Sequence, residues 1–151
     1  MNVRKEIYKT LSPVINGITA IEWVDLWKAQ MNRPKEHYPF GFPAVFIGIN
    51  NISYQDMTLG TKEGRAQIDL YVFFDKYGDT FAGADDQDNS LLILDTLDEI
   101  VQTVEDTEGG LFTGLKLSGD EDVSTRYNRP AYILKFECLI YNPVKADEYV
   151  S

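Results

Sequence analysis

The chain has 151 residues with 24 Asp or Glu against 14 Lys or Arg, so its formal net charge is −10. A hydrophobic share of 44% and an aromatic share of 13% exclude a disordered acidic tail, and the length is that of one ordinary domain. No apolar run approaches the ~20 residues of a membrane-spanning helix, and no N-terminal signal segment is visible. We therefore expect a single soluble domain over 1–151 that has no membrane partner and is not exported.

The first predicted element is a short helix. Its apolar residues recur at three- and four-residue steps and so share one helical face: Val3, Ile7, Leu11 and Val14. Asn2 is placed to cap it. Pro13 disfavours a helical residue before it, so the helix is expected to end near Ser12.

A strand and an unpatterned segment follow the helix. Residues 19–27 are rich in β-branched and aromatic side chains, which predicts a strand. Residues 28–43 contain three prolines and show no periodicity. Loops of this length inside a compact domain are usually binding elements or mobile, so we expect an extended arm.

The next two strands are predicted to form an antiparallel hairpin. Residues 44–54 and 65–75 both alternate apolar and polar side chains, and the polar loop between them contains Gly60 and Gly64.

An amphipathic helix is predicted over 89–106, after Asp85 and Asp86. Its apolar stripe comprises Ile93, Leu94, Leu97, Ile100, Val101 and Val104. Leu91 and Leu92 fall outside this stripe, so they are either loosely packed or in contact with another chain.

Two strands complete the pattern. Residues 115–127 read as a strand interrupted by polar residues 118–122, and a last alternating strand follows Pro130 and ends before Asn142-Pro143. The order of elements predicts an α+β fold, with a largely antiparallel sheet of about five strands and two helices packed on one face.

Two helices cover only one face of such a sheet. The other face is predicted to carry four large side chains, which makes it a candidate subunit interface together with Leu91 and Leu92: Tyr71, Phe73, Leu139 and Tyr141. Homo-oligomerisation is the simplest interpretation. The alternative is that the arm or the C-terminal tail folds back over this face.

The sequence offers no positive sign of catalysis. His37 is the only histidine and lies in the unpatterned arm, whereas Cys138 alternates onto the apolar side of the last strand. The acidic run at 85–89 fails the EF-hand pattern, because Leu91 and Leu97 replace the glycine and glutamate that this pattern needs. Phosphate-binding glycine motifs are not found. We therefore expect no enzyme, no cofactor and no metal site.

The charge is concentrated in one stretch. Residues 75–108 hold eleven acids and a single base, Lys76, while the rest of the chain is balanced. Such a chain repels duplex DNA unless a basic patch overcomes the field, and the nearest candidate patch, Arg33, Lys35 and His37, also contains Glu36. We expect no sequence-specific binding of nucleic acid.

The order of these features resembles the tail terminator, or tail completion, proteins of long-tailed bacteriophages and prophages. The resemblance covers nearly the whole chain. It rests on the N-terminal helix before Asn16-Gly17, a strand with Trp23, the entry Phe42-Pro43-Ala44-Val45-Phe46-Ile47, the alternating run at 67–72, the helix at 94–100 and a tyrosine-rich last strand.

The resemblance implies a structural protein that forms a ring, commonly a hexamer, in the host cytoplasm and then in the virion tail. The ring caps the tail tube and joins it to head-connector proteins. Four acidic residues are then candidates for the lumen or its rim, since carboxylates repel the phosphates of passing DNA: Asp79, Asp85, Asp86 and Asp88.

Candidate contacts with the tube and the connector come from the arm at 28–43 and from the loop at 60–64. The arm contributes Arg33, Lys35, His37, Tyr38 and Phe40. The alternatives are a small ligand-binding or enzyme domain with a pocket between the sheet and the second helix, and another phage neck or connector component.

Overall fold

The computed structural model describes residues 2–33, 35, 37–56, 62–76, 78 and 81–142. The elements in chain order are α1 (Val3–Asn16), β1 (Trp23–Leu26), β2 (Ala44–Asp56), β3 (Lys62–Phe73), α2 (Gln87–Ser90), α3 (Leu92–Val104), β4 (Lys116–Asp122), α4 (Ser124–Tyr127) and β5 (Ala131–Asn142).

The five strands form one sheet in the order β1-β2-β3-β5-β4. β1 runs parallel to β2, and every other pair is antiparallel. The two long helices, α1 and α3, pack against the same face of the sheet. The predicted α+β fold, with a largely antiparallel sheet of five strands, is confirmed.

Helix α1 begins as predicted but ends later. The side chain of Asn2 caps it by accepting a hydrogen bond from the Lys5 backbone N–H at 3.1 Å. The predicted end near Ser12 is wrong, because the helix continues through Pro13 to Asn16. Ile15 is fully buried on the face that Leu11 also buries, and this burial offsets the hydrogen bond that a proline cannot donate.

The first strand is shorter than predicted, and the hairpin is as predicted. β1 has only four residues, because only Trp23–Leu26 pair with β2. β2 and β3 pair along their length, with one irregularity between Ile49 and Asn51. Gly48 of β2 lies under the Tyr71 ring, where a Cβ atom would be 2.9 Å from a ring carbon.

The core between the sheet and the helices is apolar. Alternate residues of β3 and β5 pack against α1 and α3, and the fully buried members include Ile68, Leu70, Val72, Phe136 and Ile140. Cys138 lies in the same cluster, as its position in the alternation predicts.

The predicted helix at 89–106 is divided at Leu91. The backbone N–H of Leu94 donates to the Leu91 carbonyl at 2.9 Å, so the chain tightens there between α2 and α3. Leu94 was expected in the apolar stripe, but it lies at the margin of the stripe and is exposed. Ile100 and Val104 are fully buried, as expected.

The fourth strand differs from the prediction in its middle and at its C-terminal end. β4 continues through the polar residues at 118–122, with one irregularity in its pairing between Leu117 and Gly119, because it is an edge strand whose polar side chains remain in solvent. Residues 124–127 form the short helix α4 and not a continuation of the strand.

The second face of the sheet is covered by the chain itself at one end. A second cluster, the aromatic cover, packs there; its members include Trp27, Met31, Tyr38, Phe40, Phe42, Phe46, Phe73, Val123 and Tyr127. The Trp27 ring stacks on that of Tyr71 at a centroid distance of 4.1 Å. The prediction of an extended arm is therefore wrong, because residues of the segment 28–43 fold back over the sheet.

No helix in the described part of the chain is long and apolar enough to span a membrane.

Candidate interaction surfaces

The outward side of α3 combines leucines with carboxylates, and we call it the acidic face (Leu91, Leu92, Leu94, Asp95 and Asp98). All five are exposed, because Ile100 and Val104 point the opposite side of the helix into the core. Leu91, Asp95 and Asp98 are spaced three and four residues apart and so form one stripe. An exposed stripe of this kind is suited to contact with another protein.

A cleft of about 490 Å³ lies beside the aromatic cover, between the segment at 31–38 and α4. We call it the basic cleft. Its walls are Met31, Asn32, Lys35, Tyr38, Arg126, Tyr127, Asn128 and Arg129. Three of these eight residues are cations and none is an acid, although the whole chain carries a net charge of −10.

Arg129 is held in place by aromatic rings. Its guanidinium carbon lies 4.5 Å from the centre of the Phe42 ring and 5.2 Å from that of Tyr38. Its Nη1 atom is buried, and nothing among the described residues accepts a hydrogen bond from it. The guanidinium therefore has one buried donor that no described residue satisfies.

The wall of the cleft is fixed by further contacts. The Tyr127 hydroxyl donates to Asn32 Oδ1 at 3.1 Å and so ties α4 to the covering segment. The Tyr127 ring packs edge-on against Phe73 at 4.9 Å. Asp122, the acid nearest to α4 in sequence, accepts from the Ser124 backbone N–H at 2.9 Å in the turn that leads into that helix.

The acidic face and the basic cleft lie on opposite sides of the sheet. α3 packs on the face that carries Leu70 and Val72, whereas the cleft adjoins the cover over Tyr71 and Phe73. Successive residues of a strand point to opposite faces, so the two surfaces point away from each other.

The predicted interface residues do not form one open surface. Phe73 is 1% exposed and Tyr71 is half-buried, because Trp27 and Tyr127 cover this end of the sheet. The expectation of an uncovered apolar face is therefore wrong there, and Phe73 is not accessible to a second chain. At the other end Leu139 is half-buried and Tyr141 is exposed. Leu91 and Leu92 are exposed, and their contact with another chain stays a prediction.

A buried polar group lies between these two ends. Asp69 accepts hydrogen bonds from Asn50 Nδ2 at 2.7 Å and from Gln67 Nε2 at 3.3 Å. Asn50 Nδ2 also donates to the Tyr71 hydroxyl at 3.1 Å. Burial raises the pKa of Tyr71, against the smaller opposing effect of that hydrogen bond. This network satisfies the polar groups that the cover would otherwise isolate from water.

The lumen candidates are exposed where they are described. Asp85, Asp86 and Asp88 lie in and just before α2, and Ser90 Oγ donates to Asp86 Oδ2 at 3.3 Å. Asp79 lies outside the described residues. Three of the four candidate carboxylates therefore lie at the surface of the subunit. Their location at the lumen or rim of a ring stays a prediction.

The predicted arm contacts divide into two groups. Arg33, Lys35 and His37 are exposed, whereas Tyr38 and Phe40 are half-buried in the aromatic cover. Of the loop at 60–64, residues 60 and 61 lie outside the described part, and Gly64 belongs to β3. Contact of these residues with tube or connector proteins stays a prediction.

Few of the described residues carry groups suited to catalysis or to metal binding. Cys138 is buried, and burial raises the pKa of its thiol to about 11, so it stays protonated and unreactive. The described residues contain no group of three or more potential metal ligands. A cleft of about 560 Å³ along β5 is lined by both signs of charge, and Lys116 pairs there with Asp106.

The sequence analysis missed Arg126 and Arg129. Arg126 lies where a strand end was expected and Arg129 in the connection after it, and α4 with the turn that follows it places both beside the segment at 31–38. The available signal was weak: two arginines flank Tyr127-Asn128 just before Pro130.

No protein-family model matches the chain, and a search of curated proteins finds no match.

Proposed function

We propose that this chain is a structural protein of virion assembly, a tail terminator that forms a ring, commonly a hexamer, on the phage tail tube. The acidic face is the observation that carries the proposal. Three leucines are exposed near two carboxylates, on a helix whose opposite side packs into the core through Ile100 and Val104. When another protein covers leucines placed in this way, their removal from water stabilises the complex.

A ring needs two different surfaces on each subunit. In a head-to-tail contact, one surface of a subunit meets a different surface of the next, and rotational symmetry closes the chain of contacts. The acidic face and the basic cleft lie on opposite sides of one sheet, which suits such an arrangement. Contacts with tube and head-connector proteins then involve the surfaces that the ring leaves free, including Arg33 and His37.

The acidic segment has a role in this proposal. A pore that passes DNA should not retain it, and carboxylates repel phosphates. Asp85, Asp86 and Asp88 are exposed at the end of the acidic face, so they are our candidates for the rim of the pore. The protein then acts in the host cytoplasm during assembly and stays in the tail of the virion.

The proposal predicts that the genome encoding this chain also encodes tail-tube subunits, and these subunits are used for the test. Tubes are grown in vitro with and without the purified protein and viewed by negative-stain electron microscopy. We expect added density at one tube end and tubes that stop growing. Unchanged growth with bare ends would contradict the proposal. Rings that bind connector subunits but not tubes would assign the chain to the neck instead.

A further inference from the structure

The basic cleft contains positive charge that the described residues do not neutralise. Lys35, Arg126 and Arg129 line it, and none of them forms an ion pair with a described carboxylate. A cluster of like charges costs free energy in the isolated chain, and an anion that enters the cleft relieves this cost. The cleft is therefore suited to carboxylates or other anions.

The cleft is also rigid and partly apolar. Rings of Tyr38 and Phe42 hold the Arg129 guanidinium, and the hydrogen bond between Tyr127 and Asn32 joins its two walls. A pre-ordered guanidinium loses less entropy when it binds a carboxylate. Met31 adds an apolar surface beside the cations. The matching partner carries carboxylates next to aliphatic side chains.

The acidic face has this composition. Asp95 and Asp98 lie one helical turn apart, about 5–6 Å between their Cβ atoms, and Leu91 and Leu94 continue the same side of the helix. A polyphosphate backbone offers no aliphatic group, and the net charge of −10 repels it. A second copy of this chain fits both properties of the cleft.

We infer that the basic cleft of one copy binds the acidic face of the next, with Lys35, Arg126 and Arg129 against Asp95 and Asp98. This inference rests on the proposed ring and names its subunit contact. The two surfaces lie on opposite sides of the sheet, so each copy offers one surface to each of two neighbours. Asp85 and Asp88 remain outside this contact and stay free for the rim.

Two charge-reversed variants test the contact. One is Lys35→Glu/Arg126→Glu in the cleft, and the other is Asp95→Lys/Asp98→Lys on the acidic face. All four residues are exposed, so neither change removes a buried contact, and circular dichroism checks the fold. We expect each variant alone to associate roughly 100-fold more weakly, because like charges then face each other. Sedimentation velocity measures the change.

A mixture of the two variants provides the decisive observation. In an equimolar mixture, the reversed cleft of one variant faces the reversed helix of the other, and the two unreversed surfaces also meet. We expect assembly to return, with the two variants alternating around the ring. The variant Lys5→Glu/Lys9→Glu carries the same change of net charge as the cleft variant, on exposed residues of α1, and it should assemble like the wild type.

The outcomes separate this inference from the proposed function. If the wild type forms rings and either reversed variant does so equally well, the inference is overturned and the ring stands. Two monomeric variants that fail to assemble when mixed also overturn the inference, as does a monomeric α1 control. A wild type that is monomeric throughout overturns the inference and the ring together.

Discussion

Trp27→Ala removes the centre of the aromatic cover. The Trp27 ring stacks on Tyr71 at 4.1 Å and on Phe73 at 5.9 Å, and it meets Phe46 and Tyr127 edge-on. Large aromatic side chains in cores contribute about 3–5 kcal/mol to stability, and Trp27 is only half-buried. We therefore expect the free energy of unfolding to fall by about 3 kcal/mol.

Trp23→Ala is the matched control. Trp23 is 39% exposed and, among the described residues, has one ring contact, with Phe40 at 5.7 Å, so we expect a loss of about 1 kcal/mol. Urea denaturation followed by circular dichroism measures both variants at one fixed protein concentration, because self-association shifts apparent stability. Trp27→Ala should also increase binding of the dye ANS, because Phe46 and Phe73 lose their cover. Equal losses for the two variants, without extra dye binding, would refute a cover made by the chain itself.

Three further changes test separate parts of the structure. Pro13→Ala should stabilise the protein by about 1–2 kcal/mol in urea denaturation, because Pro13 is exposed inside a helix, and a lower midpoint would contradict this. Burial raises the pKa of Cys138 from 9.0 to about 11, so the thiol should react with DTNB at pH 8 only after unfolding. For the same reason the unfolded thiol ionises first, and the free energy of unfolding should fall between pH 9 and 11 by more than in Cys138→Ala. Leu91→Ser should weaken assembly in sedimentation velocity, whereas Leu117→Ser, at the same 37% exposure on β4, should not; equal effects would argue against a specific contact at the acidic face.

The main helices and strands were predictable because the spacing of their apolar residues reflects which side of each element is buried. β3 and β5 each place alternate apolar residues under the helices, among them Ile68, Leu70 and Phe136. In α3, Ile100 and Val104 mark the buried side without ambiguity. Leu94 lies at the margin of that stripe, where a helical wheel cannot decide whether the neighbouring elements reach far enough to cover it.

The cover and the cleft were not predictable in the same way. Tyr38, Phe40 and Phe42 lie in irregular backbone, so no period shows which side of the chain they bury. The position of Phe40 depends on ring contacts with Trp23 of β1 and Phe46 of β2, which belong to other elements. Arg126 and Arg129 reach Lys35 only because α4 and the covering segment meet in the folded chain.

The mass of the purified wild-type protein in solution tests the central claim most directly. The chain has a mass of 17.2 kDa, and native mass spectrometry or light scattering distinguishes one copy from a closed ring. Our account predicts a single assembled species with a fixed number of subunits, six if the resemblance to tail terminators holds. A mass of one chain at every concentration up to the solubility limit would contradict it.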